Sequence, residues 1–212
     1  MAGFIVIGVG PGIGVAVAKR FAREGMPAGL IARSEQTLKG AVDALGGAEV
    51  VAVNADSTDE VGLRAALDRI IAAHGAPEVV VYNAALIQPD TVGDLTAQQH
   101  LDAWAVNVVG AITTAAHVVP AMVDRGSGTF LLTGGMPEPV SAYTSLSLGK
   151  AGVRTLVTLL DQQYGAAGIH TASVTVTGGV APGSAWDPDE IAEHYWRLHT
   201  QPQGEWEHEV LH

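Results

Sequence analysis

The chain has 212 residues, enough for one α/β domain, because a single core grows to roughly 250 residues before a chain splits. Hydrophobic residues make up 48% and charged residues 16%, a balance that supplies a core and excludes a disordered polymer. Eleven basic against 22 acidic residues give a net charge of −11, which repels phosphate backbones and anionic lipid heads, so neither nucleic acid nor membrane is an expected partner. The absence of cysteine removes disulfides, thiol nucleophiles and thiolate metal sites, and suits a reducing, cytoplasmic setting.

The opening stretch Met1 to Ile7 is apolar but has neither a basic leader region nor a small-residue cleavage site, and reads as mature protein. Short apolar runs then recur at Phe4–Ile7, Ala28–Ala32, Val50–Val53, Val79–Tyr82, Phe130–Leu132 and Ala172–Val176. Helix-compatible stretches lie between them: Ile13–Glu24 closed by Gly25, Leu38–Leu45 closed by Gly46 and Gly47, and Asp59–His74 stopped at Gly75, with an N-cap in the cluster from Asp56 to Asp59. Ala103–Val123 carries no charge and has the length of a membrane span, but Asn107, Thr113, Thr114, His117 and Pro120 argue instead for a helix buried between a sheet and a partner subunit. Continuous Val/Ile runs without polar alternation predict strands covered on both faces. The expected fold is therefore α/β, one domain over residues 1–212, a doubly wound parallel sheet with helices on both faces. Trp186, Trp196 and Trp206 gather near the end, in a segment expected to pack against the core or a partner.

The segment Gly8-Val9-Gly10-Pro11-Gly12-Ile13-Gly14 follows the first strand and opens the first helix. Glycines there let the backbone approach a pyrophosphate, and the helix N-terminus offers free N–H groups and partial positive charge. This is the context of a Rossmann dinucleotide turn. The second strand ends Ala32-Arg33-Ser34, without the acid that would accept hydrogen bonds from the adenosine ribose of NAD. Arg33, with the Ser34 hydroxyl beside it, suits a 2′-phosphate, so NADP(H) is expected over NAD(H); a solvated loop arginine is the alternative.

Taken in order, these features and those further down the chain resemble the short-chain dehydrogenase/reductase family, over roughly residues 3 to 200. Ile7 to Gly14 is similar to its Thr-Gly-x-x-x-Gly-x-Gly turn, with Ile7 in place of threonine. Asp56, followed by Ser57, matches the aspartate that bonds the adenine. Tyr82-Asn83-Ala84-Ala85 resembles Asn-Asn-Ala-Gly. Asn107 matches the helix asparagine that holds a water near the active-site lysine, and Ser147 to Val153 resembles the helix that carries that lysine, here Lys150. The resemblance implies hydride transfer between a nicotinamide cofactor and a carbonyl or alcohol, with Lys150 on the nicotinamide ribose, Thr177 beside the cofactor, and assembly into a homodimer or homotetramer through the helices that Ala103–Val123 and Ser147–Tyr164 resemble.

Two positions depart from that plan. Four residues before Lys150, the place of the catalytic tyrosine holds Leu146, and the serine position at the end of the fifth strand holds Gly135. Neither can donate a proton. Tyr143, seven residues before Lys150, is a candidate acid displaced by about 10 Å along a helix, or a packing residue that precedes the helix. Thr133, Ser145 and Ser147 offer hydroxyls, and Glu138 a loop carboxylate. The stretch from Val176 to Asp187 leaves no room for the usual helical substrate lid, so the pocket is expected to be open, or closed by a partner subunit or by Tyr195, Trp196 and Trp206. His194, His199, His208 and His212 lack the i, i+4 spacing of a metal site, and none is expected. The readings that remain are an atypical NADP(H)-dependent oxidoreductase acting on a small carbonyl, alcohol or enone, a cofactor-binding sensor or assembly protein without catalysis, and a non-redox isomerase or cyclase.

Overall fold

The computed structural model describes residues 3–212; Met1 and Ala2, which open the stretch read as mature protein, lie outside the described residues. The chain runs β1 (Phe4–Ile7), α1 (Ile13–Ala22), β2 (Ala28–Ala32), α2 (Glu35–Ala44), β3 (Val50–Asn54), α3 (Glu60–His74) and β4 (Val79–Tyr82). It continues through α4 (Ala97–Trp104), a π-helical segment (Ala105–Val109), α5 (Gly110–Arg125), β5 (Gly128–Gly135), α6 (Thr144–Tyr164), β6 (Ile169–Val176), α7 (Pro188–His199) and β7 (Glu209–Leu211). The strands form one parallel sheet in the order β3-β2-β1-β4-β5-β6-β7.

Strand periodicity divides the core in two. Phe4 and Val6 of β1 point to the layer of α1, α2 and α7, whereas Ile5 and Ile7 point to the layer of α3, α5 and α6. All four are buried, which is why β1 reads as a continuous apolar run. The order reverses between β1 and β4, and the crevice at the C-terminal ends of those strands is where an open α/β sheet receives a ligand.

Several boundaries differ from expectation. β5 extends to Gly128 and Gly135 and β6 begins at Ile169, pairing residue for residue over their full length. The flanking glycines read as turns, but Gly134 is needed inside the strand, because a Cβ there would lie 2.3 Å from the Thr175 hydroxyl. α2 begins at Glu35 because Ser34 caps it, accepting from the Thr37 amide at 3.4 Å. β7, only three residues long, gave no sequence signal.

The charge-free stretch lies within one rod from Ala97 to Arg125, broken at its middle by the π segment. Tyr82 closes that irregularity by donating to the Val106 carbonyl at 2.6 Å, and burial pushes its phenol up to about 12. One side of the rod packs on the sheet, and Leu101, Trp104, Val109 and Ile112 are exposed on its outer side, the side that the sequence reading assigns to a partner subunit. The C-terminal segment packs on α1: Trp196 meets Phe21 edge-on at 5.3 Å, Arg20 lies 4.6 Å over the Trp196 ring, and Arg20 bonds Glu193 at 2.8 Å.

Candidate active site

A cleft of about 1070 Å³ runs along the C-terminal edge of the sheet. Its middle is the turn from Gly8 to Gly14. Gly8 sits at φ +85°, and a Cβ there would lie 2.5 Å from the Ala84 amide nitrogen. Gly14 brings α1 against the turn, since a Cβ would lie 2.7 Å from the Gly8 carbonyl oxygen. Gly10 and Gly12 border open space, so side chains at either would grow into the cleft. No side chain caps the start of α1, which leaves its N–H groups and partial positive charge facing the ligand space beside Pro11 and Ile13. This cradle fits a pyrophosphate.

At one end the wall is Ala32, Arg33, Ser34, Thr37, Ala55 and Ser57. The Arg33 side chain is 66% exposed and stands 4.0 Å from Asp56, a contact worth little in water that leaves the guanidinium able to turn to a ligand. Ser34 uses its oxygen as a cap acceptor and keeps its O–H to donate. Asp56 lies between Ala55 and Ser57 of this wall; one carboxylate oxygen accepts from the Thr58 amide at 2.9 Å and hydroxyl at 2.8 Å, and the other faces Arg33.

At the other end a hydrogen-bonded chain crosses the sheet. Asn83 donates to the Gly8 carbonyl at 2.8 Å, its oxygen accepts from Thr133 at 2.7 Å, and the Thr133 hydroxyl is 2.7 Å from the phenol of Tyr195. Tyr195 is fully buried, so α7 braces the glycine turn from behind. Lys150 lies on the wall with its Nζ donating to the Thr133 carbonyl at 2.6 Å. Burial lowers its pKa from 10.5 to about 8. Ala84 and Ala85 line the floor.

Asn107 does not reach the cleft wall; buried in the π segment, its side-chain oxygen accepts from the Leu86 amide at 3.0 Å and its nitrogen donates to the Leu86 carbonyl at 3.4 Å. It therefore pins the loop after β4 to the helix beside α6. Gly149 allows that approach, since a Cβ there would meet the Asn107 Cβ at 2.7 Å.

The candidate acids separate. Leu146 lines the inner cleft and Gly135 adjoins Lys150. Three hydroxyls are engaged: Thr133 donates to Asn83, Ser145 to Asp90 at 2.7 Å, and Ser147 to the Val140 carbonyl at 3.3 Å while accepting from the Val140 amide at 3.0 Å. Tyr143 precedes α6 as its N-cap residue, tied through a parallel bridge to Asp90, and borders the mouth of the cleft. Glu138 is exposed at the rim.

Between β6 and α7 there is no helix. Thr177, on the wall, donates to the His212 carbonyl at 2.8 Å and accepts from Trp186 Nε1 at 3.1 Å, and the Trp186 ring covers Gly178 so closely that no Cβ fits. Tyr195, Trp196 and Trp206 do not close the pocket: the first two face α1 and β5, and Trp206 stacks on His170 at 4.9 Å. His194 and His212 pair ring to ring at 2.9 Å, His199 meets Thr129 and His208 the Thr171 carbonyl. Among the described residues no group of three or more His, Asp or Glu is placed to hold a metal.

Sequence reasoning named Tyr195 as a possible cover and not as the brace it is, and missed Asp90 under α6 and Arg154, whose guanidinium holds the Gly135 and Met136 carbonyls at 3.0 and 3.1 Å. Met136 is the one non-glycine residue at positive φ, +47°, among those described. A helix period from Lys150 to Arg154 is the single signal that pointed to the last of these.

Parallel topology, the crossover at β1 and β4 and a glycine cradle at the switch point define a dinucleotide-binding α/β protein. Residues 3–187 match the family model described as short chain dehydrogenase, and the chain belongs to that family. It is 31% identical over 158 residues to "Oxidoreductase asL5" of Sarocladium schorii, covering 72% of this chain and 61% of that relative, less than two thirds of its length. It is 28% identical to glucose 1-dehydrogenase of Gluconobacter oxydans, over 88% of this chain and 73% of that one. Among solved structures, a short-chain dehydrogenase from Rhodopseudomonas palustris superposes with a TM-score of 0.89 at 24% identity, covering 100% and 97% of the two chains. A metagenomic short-chain oxidoreductase in complex with NADP superposes at 0.87 and 24%, covering 100% and 96%.

Proposed function

We propose that this chain is an NADP(H)-dependent oxidoreductase acting on a small, uncharged carbonyl, alcohol or enone, with a non-standard active site. The observation that carries this reading is a single cleft whose wall joins Arg33 and Ser34, the glycine turn and Lys150 without interruption. When bound, NADP(H) supplies or accepts hydride at its nicotinamide ring. Arg33 and Ser34 hold a 2′-phosphate, the N–H groups of Gly12, Ile13 and Gly14 hold the pyrophosphate, and Lys150 holds the nicotinamide ribose. Asn107 acts through the loop it pins. Ile87, Val140, Leu146 and Val180 make the substrate end apolar, which favours an uncharged substrate. Tyr143 borders that end.

Fluorescence titration tests the cofactor assignment. Arg33→Ala is expected to weaken NADPH binding by about tenfold or more, the scale of one charge-assisted hydrogen bond, while NADH binding stays within about twofold. Equal losses for both dinucleotides would assign Arg33 to the fold. NADPH consumption across a panel of ketones, enones and imines tests the reaction. Leu146 and Gly135 favour one second reading, a cofactor-binding sensor or assembly protein, which gains if NADPH binds and none is consumed.

The exposed apolar side chains Leu101, Trp104, Val109, Ile112, Leu148 and Leu159 of α4 to α6 support assembly into a homodimer or homotetramer. Light scattering is expected to give two or four times 21.8 kDa, and Trp104→Glu to shift the mass toward the monomer. A monomeric parent protein would refute the assembly.

A further inference from the structure

We propose that the Lys150 ammonium itself hydrogen-bonds and protonates the substrate oxygen, in place of a phenol at position 146; this role rests on the hydride-transfer reading above. Among the described residues, the ionisable side chains of the cleft wall are Arg33, Glu138, Tyr143 and Lys150. Arg33 lies at the far end and does not release its proton. Glu138 is a solvated rim carboxylate. Tyr143 stands before the first turn of α6, about 10 Å along the axis from Lys150 by helix rise. The three nearby hydroxyls are each engaged within the protein.

Lys150 differs from all of these in placement. Its Nζ uses one N–H on the Thr133 carbonyl, and an ammonium has three. Gly135 leaves the side of its stem uncovered, with the nearest approach of an added Cβ at 3.8 Å from Cγ and Cε. Leu146, four residues earlier on the same helix face, is 4% exposed and apolar, so a hydrogen bond made beside it is little weakened by water. Near the lysine lie Thr133 on β5, which it bonds, with Tyr195 behind, Val176 on β6 and Arg154 one turn on, both adjoining Gly135, and Asn107 against the preceding Gly149. None is a carboxylate, and burial alone sets the lysine near 8, so it carries its proton at neutral pH and yields it readily, as a general acid must.

The step balances. The carbonyl carbon gains hydride and its two electrons from the reduced dinucleotide, and the π pair moves onto oxygen. That oxygen takes a proton from Nζ, whose bonding pair stays on nitrogen, and water then returns a proton to the amine. The dinucleotide is oxidised and the substrate reduced.

The chain has only three lysines, Lys19, Lys39 and Lys150, so ¹³Cε-lysine NMR can follow each titration separately. The signal lost in Lys150→Met is expected to titrate near pH 8, and kcat for carbonyl reduction to fall above the same pH. In Lys150→Arg that alkaline limb should vanish. Lys150→Met should lower kcat by about 100-fold or more, the range for loss of a general acid, with NADPH affinity changed less than about tenfold, and Tyr143→Phe should leave kcat within about threefold. A limb that persists in Lys150→Arg, turnover that survives in Lys150→Met, or a 100-fold loss in Tyr143→Phe overturns the lysine's role and leaves the oxidoreductase reading standing. NADPH binding without consumption by the unsubstituted protein overturns that reading, and this role with it.

Discussion

Gly135→Ser combined with Leu146→Tyr is expected to raise the rate of carbonyl reduction by up to roughly 10²-fold, the lower end of what a general acid contributes, because Lys150 already delivers a proton in the parent protein. The backbone already accepts both side chains. Gly135 is not at positive φ, and the nearest atoms to a Cβ there, the Val176 carbonyl oxygen and the Lys150 stem, lie 3.7 and 3.8 Å away, which is ordinary van der Waals contact. A serine hydroxyl would therefore enter without strain. Leu146 is buried but borders the cleft, so a tyrosine can extend into the 1070 Å³ of open volume and not into packed core. There its phenol would lie one helical turn from the Lys150 ammonium, whose charge lowers a phenol pKa. Groups that act as a unit are not additive, so the double variant should exceed the product of the two single ones. The check is kcat with NADPH and one small ketone for the four proteins. Equal rates with undiminished NADPH binding would mean that bound cofactor and substrate do not meet at this end of the cleft.

The division between what could be read in the sequence and what could not follows the range of the interactions. The glycine turn was legible because strand, turn and helix are contiguous, and the required glycines, Gly8 and Gly14, reveal themselves by spacing alone. The α/β class was legible because both faces of β1, β2 and β4 are buried. The extent of β5 was not, because Gly134 and Gly135 look like a turn until Thr175 of the neighbouring strand is placed beside them. The brace from Tyr195 through Thr133 to Asn83 joins residues 62 and 50 positions apart, and no local pattern marks either contact. The local turn that holds Asp56 was not legible either: Thr58, two residues on, engages one of its carboxylate oxygens and leaves the other toward Arg33. Trp186, Trp196 and Trp206 mark a segment that packs on the core, but their individual places were not legible: Trp196 meets Phe21, Trp206 stacks on His170, and Trp186 lies over Gly178.

Lys150→Met is expected to stabilise the folded protein at pH 7 by about 1 to 3 kcal/mol while removing activity. Burial lowers the lysine from 10.5 to about 8, and at 1.36 kcal/mol per unit the charged form is disfavoured in the fold by about 3 kcal/mol. Below pH 8 both the folded and the unfolded chain carry the proton, so the full penalty is present. Between about 8 and 10.5 the unfolded lysine still binds a proton that the folded one has lost, so this group's contribution to stability rises with pH, and above 10.5 the penalty is gone. Methionine fills a similar volume without charge, and offsets part of its own gain by leaving the Thr133 carbonyl without the 2.6 Å donor. Thermal unfolding should therefore show a Tm higher by several degrees at pH 7, at roughly 2 to 4 °C per kcal/mol for a domain of this size, and a difference that shrinks toward pH 10. A variant destabilised at pH 7 would show that the ammonium holds the fold together through Thr133. If the gain is found, the fold would be more stable with an uncharged side chain at 150. The charge on the inner wall of the cleft then has its reason in what it does to a ligand.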